Sequence, residues 1–392
     1  MIGGFTLAHD IDVYGQVRKI VGSSADVSQP PPPIGCTPAS TFNIVPGAGT
    51  LTFSTGGGAV ADSFVFAPNY QNYIGAAFQV ARDTTGAELF IGSVIARSPA
   101  FFTASIEFST ANNPFVSNTH GIVLDTQNSR VLFHGTRVVA PCNVTNCLQL
   151  QLYGTNDSTP FLVSDITFSG LTVGQGTLGG VSDDSFFYFA QRNVSSTATT
   201  VYKFTKDAGL SFVNSVSIGN VSSVEMLDDG TNLLVVDVIG FGIVRLNKTS
   251  LTAPTTLTLT GFGGSLNTNL AYDGVNNHYY VASTSAGVTT IRQINATTGA
   301  ATGVTQSIGT ELLLINGIQV DLSAGKLYVG TGVSGVSSTI RRYALNTMAA
   351  EEAETGVLGI SLFNMAQDFI HKRLWVSGGG SPGAVQQYTL CS

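Results

Sequence analysis

One phrase returns six times along this chain, always with the same layout: a short apolar strand ending in Asp, a tight turn, then an aromatic-rich strand. The copies are GIVLD-TQNS-RVLFHG from Gly121, GGVSD-DS-FFYFA from Gly179, VEMLD-DGT-NLLVVD from Val224, NLAYD-GVNN-HYYVA from Asn269, GIQVD-LSAG-KLYVG from Gly317 and NMAQD-FIHK-RLWVS from Asn364. Their aspartates (Asp125, Asp183, Asp228, Asp273, Asp321 and Asp368) are separated by 58, 45, 45, 48 and 47 residues. A degenerate seventh copy, SFVFA-PNYQ-NYIGA from Ser63, lies 58 residues earlier if Ala67 takes the Asp position. A period of this size with about four strands per unit is the sequence signature of a β-propeller. The expected fold is therefore all-β: a seven-bladed β-propeller of four-stranded antiparallel blades behind an N-terminal extended arm.

Strands are read most clearly in two copies. NLAYD, HYYVAST, GVTTIRQIN and a segment near TGVTQSIG form one unit, and GIQVD, KLYVGTG, SSTIRRYALN and a segment near Gly356 the next. Val, Ile, Tyr and Thr between Gly, Asn and Asp turns satisfy pattern and propensity together. The last copy stops at Cys391 and Ser392 before a fourth strand, and TLTFSTGG from Thr50 is the natural donor. Pairing the two ends of residues 36–392 in one blade would leave no large open edge.

That closure brings Cys36 and Cys391 to one seam, so a Cys36–Cys391 disulfide is expected, along with a local Cys142–Cys147 bridge in PCNVTNC. A C-x4-C pair without a second Cys or His pair is a weak metal signature. Both bridges require an oxidising compartment. Charged residues make up only 10% of the chain, which with the cysteine placement points to an extracellular or cell-surface protein. Against this, MIGGFTLAHD lacks the basic and long apolar regions of a secretory signal. A formal charge of −7 gives no footprint for nucleic acid, and no apolar run is long enough to span a membrane.

The recurrent Asp residues read as turn formers whose carboxylates bond local amides, rather than as a Ca²⁺ ring; no D-x-D-x-D-G loop occurs. Sequons stand at Asn143, Asn156, Asn193, Asn220, Asn247 and Asn295, of which Asn156, Asn247 and Asn295 follow the third strand of a unit at an outer turn. Asn suits such turns without any sugar because it tolerates a left-handed backbone. Titratable groups near the channel mouth are few: Glu225, with His120 just before the first Asp-ended strand, beside Gln319 and Gln367. His9, His134, His278 and His371 share no spacing, and there is no G-x-S-x-G, H-E-x-x-H or Walker loop. Gly56–Gly58 and Gly378–Gly380 are turn glycines. The run Glu351-Glu352-Ala353-Glu354 is expected to be a solvated connection. No catalytic, metal or cofactor site is expected.

Residues 1–35 fall outside the repeat. Phe5, Leu7, Ile11 and Val13 alternate with small or polar residues as in a strand, ahead of a Pro30–Pro33 spacer of polyproline II type. A lone strand on a stiff spacer cannot bury its own apolar face. It either folds back on the propeller or adds to a sheet edge on another molecule, a contact that propagates head-to-tail.

Phrases such as GKLYVGT (Gly325 to Thr331), HYYVAST and RLWVSGG resemble the YVTN and NHL type of propeller repeat over residues 60–391. That resemblance implies relatives among surface-layer and cell-surface proteins, ligand-binding modules and sugar lactonases; no lactonase-like acidic and His cluster maps onto this sequence. The leading expectation is a structural subunit of an extracellular filament or surface layer, self-associating through its arm. A glycan- or protein-binding propeller is the second, and a propeller hydrolase or lyase around Glu225 and His120 the third.

Overall fold

A computed structural model of the 392-residue chain describes residues 9–11, 17–19, 44–53, 60–68, 75–82, 88–96, 103–109, 119–125, 128, 130–137, 147–155, 160–172, 176–192, 198–219, 221, 226–237, 240–333, 337–355, 361–368, 373–379 and 383–390. All elements among them are strands; apart from the two-stranded pair His9–Ile11 and Val17–Lys19, they are bonded into four-stranded antiparallel runs. Unit I comprises Val60–Pro68, Gly75–Arg82, Glu88–Ala96 and Thr103–Ser109. Unit II comprises Thr119–Asp125, Arg130–Arg137, Cys147–Thr155 and Pro160–Thr172, and unit III Gly176–Ser182, Phe186–Arg192, Thr199–Thr205 and Phe212–Ser217. Unit IV holds Met226–Asp228, Asn232–Asp237, Gly242–Asn247 and Thr255–Thr258. Unit V holds Ser265–Asp273, His278–Ser285, Val288–Asn295 and Ala301–Gly309, and unit VI Leu312–Asp321, Lys326–Val333, Ser337–Ala344 and Ala350–Thr355. In unit VII, Ser361–Asp368, Arg373–Gly379 and Gly383–Leu390 are joined by Ile44–Phe53, with Leu51 opposite Val385 and Thr52 opposite Ala384.

First strands of successive units lie side by side. Units II and III touch through a parallel pair, Gly179 beside Ile122, and units VI and VII through Ile315 beside Asn364. Gly180 permits the first of these approaches: a Cβ there would stand 2.5 Å from Tyr188 O and from Val123 Cγ2. The first strand of unit VII also lies against that of unit I.

The second strand of each central unit is apolar without interruption because neighbouring units cover both its faces. Its period of two sorts alternate residues into different interfaces. Phe187 and Phe189 pack with Leu132, Leu148, Leu150 and Leu152 of unit II, whereas Tyr188 and Ala190 pack with Met226, Leu233 and Val235 of unit IV. Tyr279 and Val281 turn toward Leu234 and Val236, while Tyr280 and Ala282 turn toward Leu327, Val329 and Tyr343 of unit VI. Each fully buried Val, Leu or Phe side chain among these contributes about 1.5–3 kcal/mol of transfer free energy.

Two sequence expectations need correction. The Glu351–Glu354 run is no solvated connection: it lies within Ala350–Thr355, the outer strand of unit VI. The Glu351 and Glu352 carboxylates are held by cations of the second and third strands, with Glu351 2.5 Å from Lys326 Nζ and 2.9 Å from Arg342 Nε, and Glu352 3.2 Å from Arg342 Nη2. Nor is the arm's strand unpaired. His9–Ile11 and Val17–Lys19 form a two-stranded antiparallel hairpin with Ile11 opposite Val17 and Asp10 opposite Arg18. That hairpin shares no ladder with any other described sheet.

Candidate functional site

The Asp-ended turns are structural in every copy whose side chain is described. Asp183 Oδ1 accepts from the amides of Ser185 and Phe186, both at 2.9 Å, and Asp273 Oδ1 from those of Val275 and Asn276 at 3.0 and 2.9 Å. Asp321 accepts from Ala324 N at 3.0 Å, and Asp125 from Asn128 N at 3.3 Å. Fully buried Asp125 is further neutralised by Lys206 of the next unit at 2.5 Å and Arg130 at 3.0 Å. Asp228 meets Lys248 at 2.7 Å, although burial still pushes its carboxyl above the ordinary range. No group of three or more His, Cys, Asp or Glu side chains that could hold a metal occurs among the described residues.

A second recurrent device lies just past the third strand. There, in units III to VI, a backbone carbonyl accepts a side-chain donor from the preceding unit. Arg130 donates to Lys206 O at 2.7 Å, Lys203 to Lys248 O at 2.9 Å, Arg245 to Ala296 O, and Tyr280 Oη to Leu345 O at 2.9 Å. Burial lowers the Lys203 ammonium from its ordinary pKa, while its Nζ sits 4.0 Å from the centroid of the Phe186 ring. The bond is the same in each unit but its donor is not, so no sequence repeat betrays it.

At the end of the blades where first strands begin, units V and VI carry equivalent arginines. Arg292 faces Val281 and Arg341 faces Val329 in matching registers. In unit VI, Glu311 takes Arg341 in a two-pronged pair at 2.6 and 2.8 Å, with Thr331 Oγ1 accepting from Arg341 at 2.5 Å. The bonds from Arg341 hold the Glu311 carboxyl below its usual range. In unit V, Arg292 Nη1 donates to buried Ser283 Oγ at 2.5 Å, and its guanidinium lies 5.3 Å from the centroid of the Phe262 ring. No carboxylate pairs with it among the described residues.

The outer edges of the units differ in charge. Ala350–Thr355 carries Glu351, Glu352 and Glu354 in its sequence, whereas the outer strand of unit III, Phe212–Ser217, lies in a stretch with no charged residue between Asp207 and Glu225. Phe212 and Val213 are 43% and 44% exposed there, among the most exposed large apolar side chains described. Val213 is the extra residue of a bulge, since Lys203 faces Asn214 while Phe204 faces Phe212.

Of the residues singled out in the sequence, His120 lies on Thr119–Asp125, Gln319 on Leu312–Asp321 and Gln367 on Ser361–Asp368, while Glu225 lies outside the described residues. His134 is buried, stacked on Phe189 at 4.4 Å and bonded to Gln191 at 2.9 Å. Cys147 opens the third strand of unit II and is disulfide-bonded; Cys36, Cys142 and Cys391 fall outside the described residues. Asn247 and Asn295 each accept two turn amides, Asn247 from Thr249 and Ser250, and Asn295 from Thr297 and Thr298. Asn143, Asn156, Asn193 and Asn220 lie outside the described residues, as do Phe5, Leu7 and Val13 of the arm. The arginine sites went unread although Thr290-Ile291-Arg292 and Thr339-Ile340-Arg341 repeat the same triplet. No helix of the described residues is long and apolar enough to cross a membrane.

No protein-family model and no curated protein matches the chain. Among solved structures it resembles that of U3-55K, at TM-score 0.54 and 9% identity over 89% of this chain and 98% of the other. It also resembles the WD40 repeats of RRP9, at TM-score 0.53 and 9% identity over 87% of this chain and all of the other. A Lactobacillus plantarum protein gives TM-score 0.49 and 12% identity over 74% of this chain and 84% of its own. The shared fold is the propeller type of WD40 repeats. The expectation of an extracellular or cell-surface protein is corrected accordingly: the propellers matched are those of U3-55K and RRP9. Low charge content is explained by the blades themselves, whose middle strands are covered on both faces whatever the compartment.

Proposed function

We propose that the units form one closed ring of seven blades, of the YVTN and NHL kind, and that the protein is a structural subunit. It assembles head-to-tail by adding its N-terminal hairpin to the outer strand Phe212–Ser217 of a second copy. The observation that carries this reading is the hairpin His9–Ile11/Val17–Lys19, whose only ladder among the described residues is internal. An isolated two-stranded hairpin is marginal in water, so this one gains most from a third strand. The outer strand of unit III is the matching acceptor: an edge carrying exposed Phe212 and Val213, with none of the charges that guard the edge of unit VI. Residues 20–43 separate the hairpin from the first strand of the propeller. A fully extended chain of that length reaches at most roughly 80 Å at about 3.3 Å per residue, enough to meet a neighbouring molecule. Since arm and edge are different surfaces, the contact is heterologous and propagates.

Light scattering on the purified chain, on a form lacking residues 1–35 and on Val213→Lys tests the reading. Large assemblies from the full chain, and single molecules from both variants, are expected. Assemblies that persist in the truncated form, or a full chain that stays single, would refute it.

A further inference from the structure

We propose that unit V carries an open carboxylate-binding position, centred on Arg292, that takes the acidic side chain of a partner peptide. Comparison of two units of the same chain carries the inference. Unit VI shows what this framework does with a guanidinium at that place: Arg341 leans on the hydroxyl of Thr331 and grips the Glu311 carboxylate with both prongs, at 2.6 and 2.8 Å. Unit V repeats the strand register, the arginine and the supporting hydroxyl, Ser283. What it omits is the acid. Counted back from the Asp-ended turn, Glu311 corresponds to Gly263; counted by strand pairing, with Leu313 beside Thr331 and Leu266 beside Ser283, it corresponds to Gly264. Both are glycines.

Gly263 leaves space where the acid would stand, whereas a Cβ at Gly264 would meet the Thr284 carbonyl. Around Gly263 the nearest atom to an added Cβ is Ser285 Oγ at 3.9 Å, so a side chain fits there. The Phe262 ring packs near one side of Arg292, and Ser283 Oγ at 2.5 Å and Thr290 O at 3.5 Å take the two N–H groups of Nη1, which fixes the guanidinium plane and leaves Nη2 and Nε to an incoming group. A planar, pre-oriented guanidinium matches a carboxylate in a two-pronged geometry. Glu311 occupies the equivalent place in unit VI, which makes a side-chain carboxylate the fitting occupant. The inference holds whether or not the chain assembles through its arm.

The test follows the Arg292 side-chain Nε–H resonance while N-acetylglutamate amide, which bears one side-chain carboxylate, is titrated at constant ionic strength. A parallel titration uses inorganic phosphate. The expected result is a saturable shift at Arg292 with none at Arg341. It should survive Gly263→Ala, weaken at least tenfold in Gly263→Glu, whose own carboxylate fills the place, and vanish in Arg292→Gln. No saturable shift in the wild-type chain, or an undiminished shift in Gly263→Glu, would overturn the proposal. Tighter binding of phosphate than of the carboxylate would overturn its ligand class.

Discussion

Replacing Tyr280 by Phe removes one hydroxyl and leaves every apolar contact of the ring in place. That hydroxyl is one link between units V and VI: it donates to Leu345 O at 2.9 Å and accepts from Gln293 Nε2 at 3.1 Å. Burial pushes its pKa up to about 12, so it remains a donor across the whole range in which the protein would be handled. Tyr280, Gln293 and Leu345 are 0%, 3% and 4% exposed, so water does not replace the lost bonds. Each stranded partner costs about 1–3 kcal/mol, giving roughly 2–6 kcal/mol for the carbonyl and the amide together. Urea unfolding at pH 7 measures the loss. Adding Gln293→Leu to Tyr280→Phe deletes one stranded partner and should recover about 1 kcal/mol. A change under about 0.5 kcal/mol, the size seen at an ordinary surface position, would refute the claim that these donor-to-carbonyl bonds fasten unit to unit.

Asp125→Asn removes the buried charge that holds Lys206 on Oδ1 and the Arg130 guanidinium on Oδ2, and should cost about 3–5 kcal/mol in the same unfolding assay. Glu311→Gln should destabilise at pH 7 and become neutral in acid. Because Arg341 depresses the folded pKa, the pair's contribution is complete above the unfolded carboxylate pKa of about 4.3 and fades as pH falls through the lower folded value. Unfolding curves of both proteins between pH 2 and about 7 check the convergence. Gly264→Ala should lower stability by about 1–3 kcal/mol or more, since φ is +81° and the new Cβ would collide with the Thr284 carbonyl; thermal melting is sufficient to see it.

The parts of this fold readable in the sequence are those set by local chemistry. An Asp before a tight turn bonds the next amides whatever the rest of the chain does, so Asp183, Asp273 and Asp321 announce their turns. Second strands such as Phe186–Arg192 are covered on both faces, which makes them unbroken apolar runs, and Ala67 holds the Asp position of the first unit inside Val60–Pro68. Long-range compensation is what hides the rest. Glu351 and Glu352 read as loop because three acids in four residues repel; they form a strand because Lys326 and Arg342 sit across from them. Glu311 and Arg341 are 30 residues apart, and nothing local to either announces the other. The donors that fasten the units are Arg, Lys and Tyr in turn, so the geometry repeats while the letters do not. In the arm, the strand pattern around Ile11 was visible, but Val17–Lys19 is too short to show a period.

Electron cryo-microscopy of the full chain tests the central claim most directly. The account predicts seven-bladed rings joined head-to-tail, with the hairpin of one molecule running beside Phe212–Ser217 of the next. Separate rings whose Phe212–Ser217 edge is bare, or polymers joined through any other surface, would contradict it.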